Sequence, residues 1–188
     1  MKQLRESWGW APGTWGELVQ GEKNGQRLLV SLPTHRGTTT HASLYQRKPF
    51  ATPVICSSKH WKSQKAVQLL LEILGETHVQ IHLRFTTTLQ PGVGNASSSA
   101  DIFSALNATL NALIRRISPA LLCNIASRIE PTNPTIIPEA CLFEPDRGLI
   151  LGKGRLPAFD VLPLSCGESI DTMQALRRRP RWKDNERL

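Results

Sequence analysis

The residues best suited to chemistry lie in one short stretch, Gln90 to Asp101, which reads Q-P-G-V-G-N-A-S-S-S-A-D. Gly92 and Gly94 are followed by Ser97, Ser98 and Ser99, and an apolar helical pattern starts directly after them. The alternating segment from Val79 to Thr88 precedes it, so the order is strand, Gly-rich turn, helix start. Backbone N–H groups at such a helix start have no partner within the helix and point toward an anion. Glycine lets that backbone approach a phosphate with no Cβ in the way. The stretch therefore reads as a phosphate cradle, with a plain turn and N-cap as the competing reading. It is not a P-loop, because no Gly-Lys-Ser/Thr follows, and it lacks the third glycine of the dinucleotide fingerprint. Of the acids elsewhere, Glu17 stands alone among glycines and tryptophans in W-G-W-A-P-G-T-W-G-E-L-V-Q-G (Trp8 to Gly21), and on residue type alone is an exposed turn carboxylate.

The elements that must hold this stretch follow from periodicity. Trp8 to Gly21 predicts a short strand and a tight turn, returning into a strand over Gln26 to Leu32. Thr38 to Tyr45 is rich in β-formers and predicts another strand. Gln46 to Ser58 has no period and predicts a loop or irregular edge. Trp61 to Leu74 carries a broad apolar face closed by Gly75 and predicts a helix. Val79, Ile81, Leu83 and Phe85 alternate with polar residues as a half-buried strand does, with His82 on its solvated side. The helix after the serines runs through Ile114 toward Arg115 and Arg116, and Ser118-Pro119 caps a short helix through Ser127. The prolines of I-E-P-T-N-P-T-I-I-P-E-A (129–140) forbid a continuous helix. Short strands are expected at Leu142-Phe143, Leu149 to Leu151 and Phe159 to Leu164, and a helix over Ser169 to Arg179.

Bulk properties narrow the function. A chain of 188 residues with 40% hydrophobic and 20% charged residues suits a soluble globular protein. No run of about 18 apolar residues suggests a membrane span, and the N-terminus leads into no apolar signal core, so a cytoplasmic location is expected. Cys56, Cys123, Cys141 and Cys166 form no C-x-x-C pair and read as reduced thiols; no structural metal is expected. The net charge is +8, but residues Arg177 to Leu188 hold six basic and two acidic residues, half of that excess. A basic terminal run without a recognition motif argues against nucleic acid as the partner.

Three separated stretches together resemble one family. Pro91 to Asp101 is similar to the phosphate-binding motif of the GHMP kinases, the superfamily of galactokinase, homoserine kinase, mevalonate kinase and phosphomevalonate kinase. A-P-G-T-W-G-E-L-V-Q-G (Ala11 to Gly21) and I-E-P-T-N-P-T (Ile129 to Thr135) resemble the branch that makes O-phospho-L-threonine for cobalamin biosynthesis. The segment Phe159 to Leu164 with Cys166-Gly167 and Asp171-Thr172 is also similar, in the same order. The resemblance implies an α+β fold, like domain 2 of ribosomal protein S5, containing a left-handed βαβ unit, with a ferredoxin-like C-terminal lobe cut short. It implies ATP over the loop, held by Pro91, Gly92, Gly94, Asn95, Ala96, Ser97, Ser98 and Ser99, with Mg²⁺ facing Ser98 and Glu130. Thr132 and Glu17 would meet a hydroxyl amino acid, and Asn133, Glu130 and Glu17 would serve catalysis.

The departures divide the reading. Where the branch carries Asp in E-P-T-D-S, this chain has Asn133 followed by Pro134. An amide can orient a hydroxyl but cannot take its proton at neutral pH. Asn95 stands where the family has Met or Leu. The expected organisation is an ATP-binding domain over 1–154, the start of a shortened lobe over 155–176 and a basic tail over 177–188, with a homodimer or partner covering the missing lobe. Two functions follow: an L-threonine kinase-like enzyme, or a catalytically impaired nucleotide-binding or interaction relative.

Overall fold

The computed structural model describes residues 2–156, 158–162 and 164. Its centre is a six-stranded sheet in the order β3-β4-β2-β5-β6, with β1 paired along β2. β1 (Gln3–Lys23) and β2 (Gln26–Gln46) form one long antiparallel hairpin. Asn24 and Gly25 turn it with φ of 52° and 75°, the positive pair that a tight Asn-Gly hairpin needs. The tight turn expected inside Trp8 to Gly21 is therefore not there. Pro12, Gly13 and Gly16 are absorbed instead as register shifts between Pro12 and Val19 on a strand that pairs on one side only.

β2 is shared. Its first half pairs with β5 (Ala140–Glu144) at Leu29 and Val30, and its second half pairs with β4 (Val79–Thr87) from Thr38 to Gln46. The two-residue β3 (Val54–Ile55) runs parallel to β4, and α1 (Trp61–Leu74) forms the crossover between them. α2 (Ser97–Leu113) and α3 (Pro119–Ser127) complete the helical layer, and β6 (Leu149–Gly154) closes the sheet beside β5. The described residues past β6, Ala158–Leu162 among them, take no strand conformation, which corrects the strand expected at Phe159 to Leu164. The helix expected over Ser169 to Arg179 lies outside the described residues, as does most of the expected second lobe.

α2 lies across β1 and β2. Phe103, Ile102 and Leu106 are wholly buried there and meet Leu70 of α1, Ile81 of β4, Ile125 of α3 and Phe143 of β5 in one core. The helices end as their sequences dictate. Gly75 caps α1 in the left-handed conformation, and the Ser118 hydroxyl accepts the Leu121 N–H at 3.2 Å to start α3. β4 departs from simple alternation: Gln80 is buried with its amide donating to the Thr52 carbonyl, and His82 stacks against Tyr45 with ring centroids 4.5 Å apart. His82 is thus half-buried against Tyr45 rather than fully solvated, and burial followed by the Arg84 charge lowers its pKa.

Candidate active site

The serine cluster opens α2 without a side-chain cap. Ala96 is the capping residue, in left-handed conformation at φ 54°, and no side chain satisfies the first turn. The first bond of the helix is from Ala100 N–H to the Ala96 carbonyl at 3.0 Å, so the N–H groups of Ser97, Ser98 and Ser99 precede it. Gly92 and Gly94 carry the chain into this turn at φ of 78° and 77°. A side-chain cap would have taken one of these donors; here none is taken by the capping residue. Pro91 and Gly94 are exposed at the mouth of the loop, and the Asn95 side-chain oxygen is buried there without a partner among the described residues.

β1 forms the wall behind the loop. The Thr14 N–H donates to the Asn95 carbonyl at 2.9 Å. A Cβ on Gly13 would stand 2.6 Å from that carbonyl and 2.7 Å from a Leu89 methyl. The A-P-G-T segment and the G-N-A segment are therefore in backbone contact, and only glycine fits between them. The Thr14 hydroxyl, 1% exposed, donates within reach of the Gly16 and Leu32 carbonyls at 2.6 and 2.9 Å and fixes the irregular strand that places Glu17.

The segment after α3 supplies the opposite side, and the serines tie it to α2. The Ser98 hydroxyl donates to Glu130 Oε1. The Ser99 hydroxyl accepts the Thr132 hydroxyl at 3.0 Å and the Asn133 N–H at 3.2 Å. Asn133 then bridges to the hairpin: its Nδ2 donates to Glu17 Oε1 at 3.1 Å, and its Oδ1 accepts the Ser31 hydroxyl. Glu130 Oε2 accepts Lys62 Nζ, from the first turn of α1, at 2.5 Å. The carboxylate of Glu130 is 6% exposed, so its charge is balanced by the ammonium and the hydroxyl together.

Two hydrogen-bonded groups result, Lys62–Glu130–Ser98 and Thr132–Ser99–Asn133 with Glu17 and Ser31, and they meet where Ser98 and Ser99 adjoin in the first turn of α2. Pro91 and Gly92 shape the loop without bonding to either group. Thr132 is 2% exposed with its hydroxyl directed to Ser99, so it braces the loop rather than facing an acceptor, contrary to the expectation of a substrate contact. Two participants lie outside the sequence motifs. Ser31 lay inside a strand pattern and Lys62 at an ordinary helix start; neither had a motif around it.

A second cluster fastens α2 one turn further on. Asp101 accepts the Thr38 hydroxyl at 2.7 Å and lies 3.0 Å from His60 Nδ1, and the His60 ring stacks on Phe85 with centroids 3.9 Å apart. Burial, the largest cause, lowers the His60 pKa against the opposing pull of Asp101, and Lys59 lowers it further. Among the described residues, Cys123 and Cys141 are buried and unbridged, and burial pushes the Cys123 thiol up to about 12.

Residues 62–136 match the family described as the GHMP kinases N terminal domain. The chain is 25% identical over 167 residues to the L-threonine kinase of Citrobacter freundii, a match covering 86% of this chain and 54% of that enzyme. It is also 25% identical over 173 residues to the L-threonine kinase of Salmonella typhimurium (strain LT2), covering 90% and 55%. The chain therefore spans about half the length of these relatives. Among solved structures, Lactococcus lactis galactokinase complexed with galactose superposes with a TM-score of 0.57 at 14% identity, over 81% of this chain and 47% of that one. A 4-(cytidine 5'-diphospho)-2C-methyl-D-erythritol kinase does so at 0.52 and 16% identity, over 81% and 55%. These likenesses show a shared α+β fold.

Proposed function

As a member of the GHMP kinase superfamily that resembles L-threonine kinase, this chain carries, we propose, the nucleotide-binding half of an ATP-dependent kinase acting on L-threonine. The observation that carries this reading is the joining of the uncapped start of α2 to a buried carboxylate, through the Ser98–Glu130 bond. One side of that junction suits phosphate and the other suits a hard cation.

The residues present fit Mg²⁺. Ser98 and Glu130 offer two oxygen donors, and among the described residues no group of three or more His, Cys, Asp and Glu could hold a metal by itself. Mg²⁺ is commonly held by one or two carboxylates, with substrate phosphates and water completing its shell. Bound there, it would supply neutralisation of phosphate charge. The N–H groups of Ser97, Ser98 and Ser99 would receive phosphate oxygens and fix their direction.

The acceptor hydroxyl needs orientation and a place for its proton. Glu130 is engaged by Ser98 and Lys62, so it is poorly placed to be a base. Asn133 orients, and the carboxylate nearest its amide is Glu17. We assign proton acceptance to Glu17, with Asn133 positioning the hydroxyl beside it. Phosphoryl transfer through a loose transition state asks little of a base, so an indirect carboxylate suffices. The division expected from sequence is kept as part of this proposal: residues 1–154 form the nucleotide-binding unit and 155–176 begin a second lobe. Asn133 also motivates a second reading, in which the loop binds nucleotide without turnover.

Purified protein is incubated with Mg-ATP and L-threonine, homoserine or serine, and phosphorylated amino acid is followed by ³¹P NMR, with Mg-ATP affinity measured by calorimetry. O-phospho-L-threonine is the expected product. Tight Mg-ATP binding without any product would select the second reading, and no binding would overturn both.

A further inference from the structure

We propose that Lys62 is an exchangeable counter-cation. It neutralises Glu130 while no divalent cation is bound, and it moves to the phosphates when metal and nucleotide arrive. This rests on the kinase reading above and extends it to a residue outside every motif.

The geometry sets the conflict. Both oxygens of Glu130 are already used, Oε1 by the Ser98 hydroxyl and Oε2 by Lys62 Nζ at 2.5 Å. A cation placed against Ser98 and Glu130 would lie within a few ångströms of that ammonium. Two positive charges so close, in a site where the carboxylate is 6% exposed, repel strongly enough to change an affinity by about tenfold or more.

The geometry also decides which group yields. Glu130 is fixed on a short segment between α3 and Pro131, and Ser98 is fixed in the first turn of α2. Lys62 sits in the first turn of α1 on a flexible four-carbon stem and is 28% exposed. Its ammonium already lies 5.8 Å from the Trp61 ring, so its surroundings are not all carboxylate. Swinging away from Glu130, it stays beside the start of α2, where the phosphates would be. The ammonium thus changes partner from a fixed carboxylate to the incoming phosphate oxygens.

The test uses Mn²⁺ as the metal probe and compares wild type with Lys62→Met. Exchange predicts opposite signs. Mn²⁺ alone should bind about tenfold more tightly to the variant, because the competing charge is gone, while Mn-ATP should bind about tenfold more weakly, because a phosphate contact is gone. A purely structural ion pair predicts that both affinities fall or that neither moves, and either result overturns the proposal. If Lys62→Met does not fold, wild type still decides by acetic anhydride labelling. Lys62 labelling should rise with Mn²⁺ alone and fall with Mn-ATP; labelling indifferent to Mn²⁺ overturns the proposal. A wild type that binds neither Mn²⁺ nor Mn-ATP instead refutes the kinase reading beneath it. Intact Mn-ATP binding with unchanged Mn²⁺ affinity in Lys62→Met refutes only the exchange.

Discussion

Placing a carboxylate at position 133 should give this chain a second proton acceptor beside Glu17, with the two ionisations coupled. In the structure Asn133 Nδ2 donates to Glu17 Oε1 at 3.1 Å, and Asn133 Oδ1 accepts from the buried Ser31. Asn133→Asp turns the donor toward Glu17 into an acceptor and places two carboxylates in contact. At about 4 Å and an effective dielectric of about 20, the repulsion between them is about 4 kcal/mol. Partial solvent access and side-chain relaxation reduce this to about 1.5–3 kcal/mol, or about one to two pH units on the introduced carboxyl. The sign follows from linkage. An acid held protonated in the folded state binds more protons there than in the unfolded chain, so stability falls as pH rises through that interval. The variant should therefore match wild type near pH 3, below the ordinary carboxyl value, and be less stable by about 1.5–3 kcal/mol at pH 8. Urea unfolding across this range measures the difference, and Glu17→Gln combined with Asn133→Asp should abolish it. Phosphothreonine formation by the variant should rise with the same ionisation. A stability difference independent of pH, or unrelieved by Glu17→Gln, would refute the placement of Asn133 beside Glu17.

Two further outcomes follow from the same geometry. Gly13→Ala puts a methyl against the Asn95 carbonyl and Leu89, and should cost about 1–3 kcal/mol in thermal unfolding and weaken Mg-ATP in calorimetry. Because His60 is held below its ordinary value chiefly by burial, its contribution to stability is present above about pH 6.5 and is lost as pH falls toward the lower folded value; urea melts at pH 7.5 and 5.5 should show the loss in wild type, and a smaller loss in His60→Gln.

Much of this architecture can be read from local pattern. α1, its Gly75 cap, and the Ser118-Pro119 start of α3 stand in the structure where periodicity and capping chemistry predict them. So does β4, because its apolar residues keep a period of two from Val79 to Phe85. In β1, glycine and proline signal a turn when considered locally, while pairing with β2 along its length outweighs them. The site was legible only where a motif named it. Ser98, Glu130 and Asn133 lie in such stretches. Lys62 and Ser31 meet partners 68 and 102 residues away, and no feature within a few residues of either specifies that meeting. Thr132 shows the opposite failure: its motif drew attention to a side chain that packing turns inward.

The long hairpin fixes the order in which the site can come into being. Glu17 and Ser31 face each other across paired register, a few residues from the Asn24–Gly25 turn. Hairpins of this kind close in microseconds, so these two side chains meet early in folding. Asn133, which joins them, lies 116 and 102 residues further along the chain. Closing loops of that length waits on the docking of the intervening helices and strands. The hairpin side of the Asn133 group is thus a local product of one turn, and Asn133 itself is a late arrival that records the completion of the fold.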